Sequence, residues 1–599
     1  MIALRRLLPY YHPYRLQVAF GLLSTVISVT LFNAIPSLLR EAIDGMGTGA
    51  PVRAMWIIAA KMVGITLLMA VFRWQMRETL NGVSRRIEND LRDALFAHLA
   101  TLDPGFYART RTGEIMARLT NDLGAVRMAA GPAIMYLVNT IFGGVIALVF
   151  MLRINPSLTG LAVLPMILLP VVMLKLGKAV HDRFERVQAH FGDLTTMAQE
   201  NLSGVRIVRA YRQELAEAER FGAMSTEYVW LNMRLARLYG VMNPSFSVLA
   251  GLGAAAVLGI GGAFVIRGAM TVGAFVAFGF YLSNLTWPLI ALGWVTNLFQ
   301  RGSASMGRLN ELFDAAPAIA SPAAPRALPE TRGGRTIEFR NVSFAYPSRE
   351  PVVAFPDSPG PGTRPSTGER EVLHDVSFTI LAGGTLGVVG ATGSGKSALL
   401  ELIPRLFDPT RGTVLIDGVP VSELDVAALR REIGFVPQES LLFSDTILAN
   451  LAYGGTTDDD ARWAAGVAQL AETMASFPAG GDTVLGERGI NLSGGQKQRA
   501  AMARALARRP SIVILDDALS AVDTHTEAAI LRGLREALAG RTAVIASHRI
   551  TAIRDATHII VLDEGRVVER GTHATLLTQR GRYWALLRRQ QLEEAVEAA

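Results

Sequence analysis

Gly390-Ala391-Thr392-Gly393-Ser394-Gly395-Lys396-Ser397 sits between a short apolar run, Leu386-Gly387-Val388-Val389, and an apolar helix-forming run, Ala398-Leu399-Leu400-Glu401-Leu402-Ile403. A glycine-rich loop set between a buried strand and a helix is a phosphate-binding loop. Its glycines let backbone N–H groups turn onto phosphate oxygens at the positive end of the helix. Lys396 is placed to reach the β- and γ-phosphates of a nucleoside triphosphate, and the Ser397 hydroxyl to ligate magnesium. The flanking strand and helix separate this loop from a chance match.

Working outward, Ser511-Ile512-Val513-Ile514-Leu515-Asp516 reads as a second buried strand ending in a carboxylate. Such a strand lies beside a phosphate loop, and its aspartate holds magnesium. Between the two strands stands Leu492-Ser493-Gly494-Gly495-Gln496, opening a helix that runs to Ala507. With the other two motifs it resembles the signature of ATP-binding-cassette (ABC) proteins. The order agrees with that family: Tyr346, the phosphate loop, Gln438 in Val436-Pro437-Gln438-Glu439, the signature, the Asp516 strand, Ser520-Ala521-Val522-Asp523, and His548 in Ser547-His548-Arg549. Gly486-Glu487-Arg488-Gly489 is similar to a stretch found in exporters just before the signature.

The resemblance implies ATP and Mg2+ as cofactors. Tyr346 would stack on the adenine, Gly390 through Ser397 and Gln438 would hold the phosphates, and Ser397, Gln438 and Asp516 would surround the metal. Gln438, Asp517 and His548 would act in hydrolysis, with His548 at the γ-phosphate. It also implies a head-to-tail pair of subunits, with Ser493, Gly494, Gly495, Gln496 and Asp523 covering the partner's nucleotide. The signature is itself an anion-binding helix start. Its own chain already cradles phosphate elsewhere, so a second chain supplies its ligand.

One position departs from the pattern. Cassettes that hydrolyse ATP efficiently carry glutamate after the magnesium aspartate; here it is Asp517. Its carboxylate retreats by roughly 1.5 Å, a displacement that costs catalysis on the order of a hundredfold. The run Leu515–Asp523 resembles the degenerate-side subunit of heterodimeric bacterial multidrug exporters, although His548 is kept. A heterodimer with an asymmetric site is the favoured assembly and a homodimer the alternative.

The rest of the chain has a different character. Half of its 599 residues are hydrophobic and its net charge is +7. So apolar an average over this length calls for membrane spans and several domains. The absence of cysteine excludes disulfides and thiol chemistry. The basic balance follows from arginine-rich loops of a membrane protein and needs no nucleic acid. Met1–Tyr14 lacks the apolar core and cleavage site of an export signal and reads as a short amphipathic helix at the membrane surface.

Stretches near 16–39, 55–76, 133–152, 157–177, 246–267 and 271–299 are each apolar enough to span a bilayer, which needs roughly 20 residues. Arg153-Ile154-Asn155-Pro156 makes a tight turn between the third and fourth, and Pro36, Pro165, Pro170 and Pro288 fall inside spans. Arginine crowds the connections after spans two and four, so these face the cytoplasm with both termini. Within them, Thr112–Arg118 and Ser203–Tyr211 read as short helical turns that contact a cytoplasmic motor.

The expected architecture is therefore a six-span helical membrane bundle with long cytoplasmic extensions (1–314), a linker (315–334) and an α/β phosphate-loop ABC domain (335–599) carrying a polar insertion at 347–370. Lys61, Asn33, Asn139, Asn284, Asn297, Trp287 and Trp294 are scattered polar or aromatic groups within the spans. Such a cavity suits amphipathic drugs, lipids or peptides. The implied function is ATP-driven export across a bacterial plasma membrane, with membrane lipids and a second half-transporter as partners. A lipid flippase homodimer and a regulatory ATP-binding subunit are the alternatives.

Overall fold

A computed structural model describes residues 2–331, 333–347, 371–486, 489 and 491–597. The expected insertion at 347–370 lies outside the described residues except for Pro347, as do Glu487 and Arg488. The chain divides into two compact units: residues 1–99 with 113–314, and 100–112 with 315–599.

The first unit is entirely helical. Its long helices are α1 (Arg15–Gly47), α2 (Val52–Leu99), α3 (Ile134–Ile154), α4 (Leu168–Ser203), α5 (Glu214–Ala256) and α6 (Val272–Asp314). Five helical stretches are long and apolar enough to cross a bilayer among the described residues: Ala3–Gly47, Val52–Leu99, Thr112–Ile154, Glu214–Ile266 and Val272–Asp314. The stretch expected as the fourth span, 157–177, differs. It is cut into Pro156–Val163 and the start of α4 by a tighter turn at Pro165–Ile167. Pro165 has no N–H for the helical ladder, and its ring crowds the preceding turn. Pro36 and Pro288, in contrast, lie inside unbroken helices. Asn155 makes the expected reversal, with its side chain capping the next helix through the Leu158 N–H at 3.0 Å and Pro156 at the first helical position.

Packing inside this unit centres on α6. Ala277, Phe278, Tyr281 and Leu282 are buried against Ala147 and Met151 of α3 and against Leu158, Ala162 and Met166. Tyr281 stacks on Phe150 at 5.2 Å and its hydroxyl donates to the Asn33 carbonyl at 3.0 Å, so the ring's polar tip is satisfied within the bundle. Near the other end of α6, Arg308 pairs with Asp122, and the buried Arg118 donates to the Arg308 carbonyl at 2.6 Å and pairs with Glu311 at 3.2 Å. Arg118 is therefore held inside the first unit, while residues 100–112 belong to the second. The short helix Pro104–Arg109 lies in that second unit. Asp103 caps that helix, and its other oxygen accepts the Ala318 N–H at 2.8 Å.

Among its described residues the second unit holds two sheets. The first has four strands in the order β2-β1-β4-β5: β1 (Ile337–Ala345), β2 (Glu371–Ile380), β4 (Arg411–Ile416) and β5 (Val419–Pro420). The second has six in the order β10-β9-β3-β8-β7-β6: β3 (Thr385–Gly390), β6 (Ile433–Val436), β7 (Ile512–Asp516), β8 (Thr542–Ala546), β9 (His558–Asp563) and β10 (Arg566–Gly571). In the second, every pairing is parallel except β10 with β9.

Alternation along these strands divides two cores. Val388, Ile512, Ile514 and Val544 face the first sheet with Phe339, Phe344, Leu399 and Leu400. Val389, Val513, Leu515 and Ile545 face Met502 and Leu506 of the signature helix and Ile530 and Leu534 beyond it. A parallel strand covered on both faces reads as a continuous apolar run, and every residue of β7 is buried. The stretch 315–334 is not free of the domain: Arg326 bridges to Leu424 and pairs with Glu423, and Ser321 donates to Asp425 at 2.9 Å.

Candidate nucleotide site

Parallel strands put all their carboxyl ends on one edge of a sheet, where an open α/β fold places its ligands. At that edge β3 delivers the phosphate loop, β7 delivers Asp516 and Asp517, β8 delivers Ser547 and His548, and β6 delivers Pro437 and Gln438. Sequence-distant residues are thus gathered by strand order alone. Gln438 lies exposed on the loop after β6.

The loop opens helix α7 (Lys396–Leu402). Gly393 and Gly395 take φ of 82° and 100°, a region that residues with a Cβ avoid. At Gly395 a Cβ would also come within 2.8 Å of the Leu373 side chain. Ala391, Thr392 and Gly393 are exposed at the mouth, and Ser394, Gly395 and Lys396 are buried beneath. The Lys396 ammonium folds back on the carbonyls of Gly390 at 2.8 Å and Ala391 at 3.0 Å. Burial pushes its pKa down, while the charges of Asp517 and Asp516 pull it back up. Ser394 Oγ is buried without a hydrogen-bond partner. A buried cation beside an unpartnered hydroxyl fits a phosphate.

Asp516 is 4% exposed and hydrogen-bonded to the Ser397 side chain. Burial raises its pKa, with the neighbouring Asp517 adding to the effect. A desolvated carboxylate paired with a hydroxyl is a hard-oxygen donor set that suits magnesium. Ser397 and Asp516 would hold the ion, with Gln438 as a further oxygen donor, and the metal would neutralise phosphate charge.

Asp517 adopts φ 47°, which aspartate tolerates. Its N–H donates to Ala546 O at 2.9 Å, locking it to the end of β8. Its carboxylate accepts the His548 N–H at 3.4 Å and lies 3.9 Å from His548 Nε2. Asp517 and the histidine of the last motif therefore face each other in one chain.

Other expected site residues are engaged elsewhere. The Tyr346 hydroxyl donates to Glu401 at 2.8 Å, and its ring meets Phe344 and Phe407 edge-on. Burial, then Glu401, raises its pKa. The Asp523 carboxylate caps helix α9 (Thr524–Ala537) through the Thr526 N–H at 2.9 Å. Ser493 caps helix α8 (Gly494–Ala507) in a capping box with Gln496, whose side chain accepts the Ser493 N–H at 2.8 Å. Ser493 and Gly494 are exposed. Gly495 is required by packing, since a Cβ there would lie 2.6 Å from the Ala521 carbonyl.

The profile of the ABC transporter transmembrane region matches residues 18–289, and that of the ABC transporter family matches 373–520. This chain belongs to the ABC transporter family. The ABC chain is 37% identical, over 97% of its length and 96% of the relative's, to the "Probable multidrug resistance ABC transporter ATP-binding/permease protein YheI" of Bacillus subtilis (strain 168). It is 33% identical, over 99% of its length and 95% of the relative's, to an "ATP-dependent lipid A-core flippase" of Syntrophus aciditrophicus (strain SB). A bacterial Atm1-family ABC exporter with ATP bound superposes with a TM-score of 0.76 at 29% identity, covering 96% of this chain and 98% of that one. This ABC transporter is thus an exporter-type half-transporter that binds ATP and couples its hydrolysis to transport. Transporters of this type work as dimers in a membrane.

Sequence reading missed Gln498. It is 7% exposed on α8 and hydrogen-bonds the Asp517 and Ser520–Ala521 segment. A signal was present: Gln498 shares a helical face with the buried Ala501, Met502 and Ala505, so a polar side chain stands in an apolar stripe.

Proposed function

We propose that this chain exports amphipathic small molecules as one half of a heterodimer, and that the ATP site on its own phosphate loop turns over slowly. Asp517, set against His548 where a longer acid would reach further toward the nucleotide, carries this reading. Lys396 and the loop backbone bind the phosphates, Ser397, Asp516 and Gln438 hold Mg2+, and Tyr346 supports the adenine. The signature Ser493–Gln496, with Asp523, completes a faster site on the partner. In the membrane, residues 1–314 form six spans of a bacterial plasma-membrane protein with both termini in the cytoplasm, and 315–334 link them to the domain at 335–599. The relative named for multidrug resistance supports an amphipathic cargo.

The test is to purify the chain alone and together with candidate half-transporters, reconstitute each, and measure ATPase and ATP-dependent uptake of a fluorescent amphiphile into inverted vesicles. Activity that appears only on pairing, and that is abolished by changing the partner's catalytic acid, is the expected result. Strong activity of the chain alone establishes a homodimer instead. The relative named as a lipid A-core flippase favours a lipid cargo in that case, read by the same assay with a labelled lipid. Absence of transport with every partner, alongside retained ATP binding, leaves the regulatory-subunit reading.

A further inference from the structure

The geometry points to Gln498 as a positioning residue that ties this chain's half of one ATP site to its half of the other. The inference rests on the head-to-tail pairing proposed above. In that pairing the phosphate loop, Asp516 and Asp517 serve one nucleotide, and the signature at the start of α8 serves the second. Gln498 stands one turn into α8 and is 7% exposed. Its Nε2 donates to Ser520 Oγ at 2.9 Å and reaches the Asp517 carbonyl at 3.4 Å, and its Oε1 accepts the Ala521 N–H at 3.0 Å. Ser520 Oγ in turn donates to the Asp517 carbonyl at 3.0 Å.

Two further contacts make the connection stiff. Gly495, within the signature itself, lies so close to Ala521 that a Cβ would meet its carbonyl at 2.6 Å. At the far side, the Arg549 guanidinium donates to Val522 O at 3.2 Å and Ser520 O at 3.4 Å while pairing with the buried Glu527. Residues 517–523 are thus strung between the signature helix and the loop of His548. A shift of α8 on engaging the partner's phosphate is passed through one buried amide to the backbone of the residue whose carboxylate faces His548. Buried networks of this kind move as units because breaking any one bond strands its partners.

The experiment uses the full chain in its productive dimer, reconstituted in nanodiscs and titrated with MgATP. Wild-type hydrolysis is expected to be cooperative. Gln498→Ala is expected to bring the Hill coefficient to unity, with kcat and half-saturation by ATP each moved less than about twofold because this chain's own site carries little of the flux. Gln498→Glu keeps the acceptor for Ala521 and loses the donor to Asp517 and Ser520, so its cooperativity falls between the two. If Gln498→Ala fails to fold, Ser520→Ala, which removes the shared hydroxyl, is expected to lower the Hill coefficient in its place. A non-cooperative wild type, or cooperativity unchanged in these variants, overturns the proposal. The pairing is checked separately, since the chain has no cysteine. A cysteine replacing Ser493 in one subunit and one at the position equivalent to Ala391 in the other cross-link with ATP only in a head-to-tail dimer. Cross-linking with unaltered cooperativity sinks the role of Gln498 alone, and no cross-linking sinks the pairing.

Discussion

At the scale of single residues, the distance between Asp517 and its nucleotide is set by side-chain length, because its backbone is fixed. The N–H bond to Ala546 and the φ of 47° leave the main chain no freedom to advance the carboxylate. Asp517→Glu therefore adds reach without moving the loop, at the small cost of a longer side chain in a left-handed conformation. Single-turnover hydrolysis at this chain's own site is expected to rise roughly tenfold to a hundredfold in that variant. On the asymmetric reading proposed above, Asp517→Asn is expected to lower steady-state ATPase of the pair by less than about twofold, because this chain's own site would contribute little of the total flux. Equal loss of both sites in Asp517→Asn would show instead that the carboxylate serves them jointly. The gathering of Lys396, Ser397 and Asp516 at one sheet edge was legible in the sequence because short, ordered motifs carry them. The contacts of Gln498 were not, since they reach a loop about twenty residues away that only the packing of α8 against the end of β7 brings near.

Elements carry a second layer of prediction. The signature helix holds two adjacent glycines with different reasons for being there. A Cβ on Gly495 would collide with the Ala521 carbonyl at 2.6 Å, whereas one on Gly494 would rest 3.7 Å from the Ala521 side chain. Gly495→Ala is expected to cost the nucleotide-binding unit about 1–3 kcal/mol and to lower its melting temperature, and Gly494→Ala to leave melting nearly unchanged. Thermal unfolding followed by intrinsic fluorescence separates them.

A second element-scale prediction concerns Arg335, which is 4% exposed and joins the start of β1 to Asp417 at 2.8 Å and Glu432 at 3.0 Å. Burial pushes the Glu432 pKa up, but hydrogen bonds from Arg335 and Ser511 and the Arg335 charge outweigh it, and the net shift is down. A carboxylate held below its unfolded value stabilises the fold above that value, and the gain is lost as pH falls through the depressed one. Glu432→Gln is therefore expected to flatten the acid limb of the unfolding curve below about pH 4.5. Arg335→Met should destabilise by about 2 kcal/mol, less than a fully buried pair, because both carboxylates are partly solvated. The two central strands β3 and β7 were legible as continuous apolar runs. The interruption of the fourth expected span was harder to read, because proline breaks some apolar helices, as Pro165 does, and leaves others such as those of Pro36 and Pro288 intact. Neighbouring helices, absent from any single stretch of sequence, decide between those outcomes.

For the whole molecule, the question is how hydrolysis reaches the membrane helices. The tip between α4 and α5 presents Leu202, Ile207, Tyr211 and Leu215 at 76%, 66%, 73% and 81% exposure, on the short Val205–Ala210 helix and its flanks. So many large apolar side chains at one polar, basic tip are costly in water and mark a surface that is covered in the working assembly. Ser203–Tyr211 is also the stretch whose sequence predicts a contact with a cytoplasmic motor, which makes it the place to test. Because these side chains support no core within their own unit, charging them should leave the fold intact. Ile207→Asp combined with Tyr211→Asp is expected to preserve expression, melting temperature and ATP binding while lowering ATP-driven transport at least about tenfold, as loss of a small apolar anchor does at other interfaces. The effect of cargo on ATP affinity should disappear with it, since linkage between two binding sites works in both directions. Transport that survives both substitutions would place the coupling surface elsewhere.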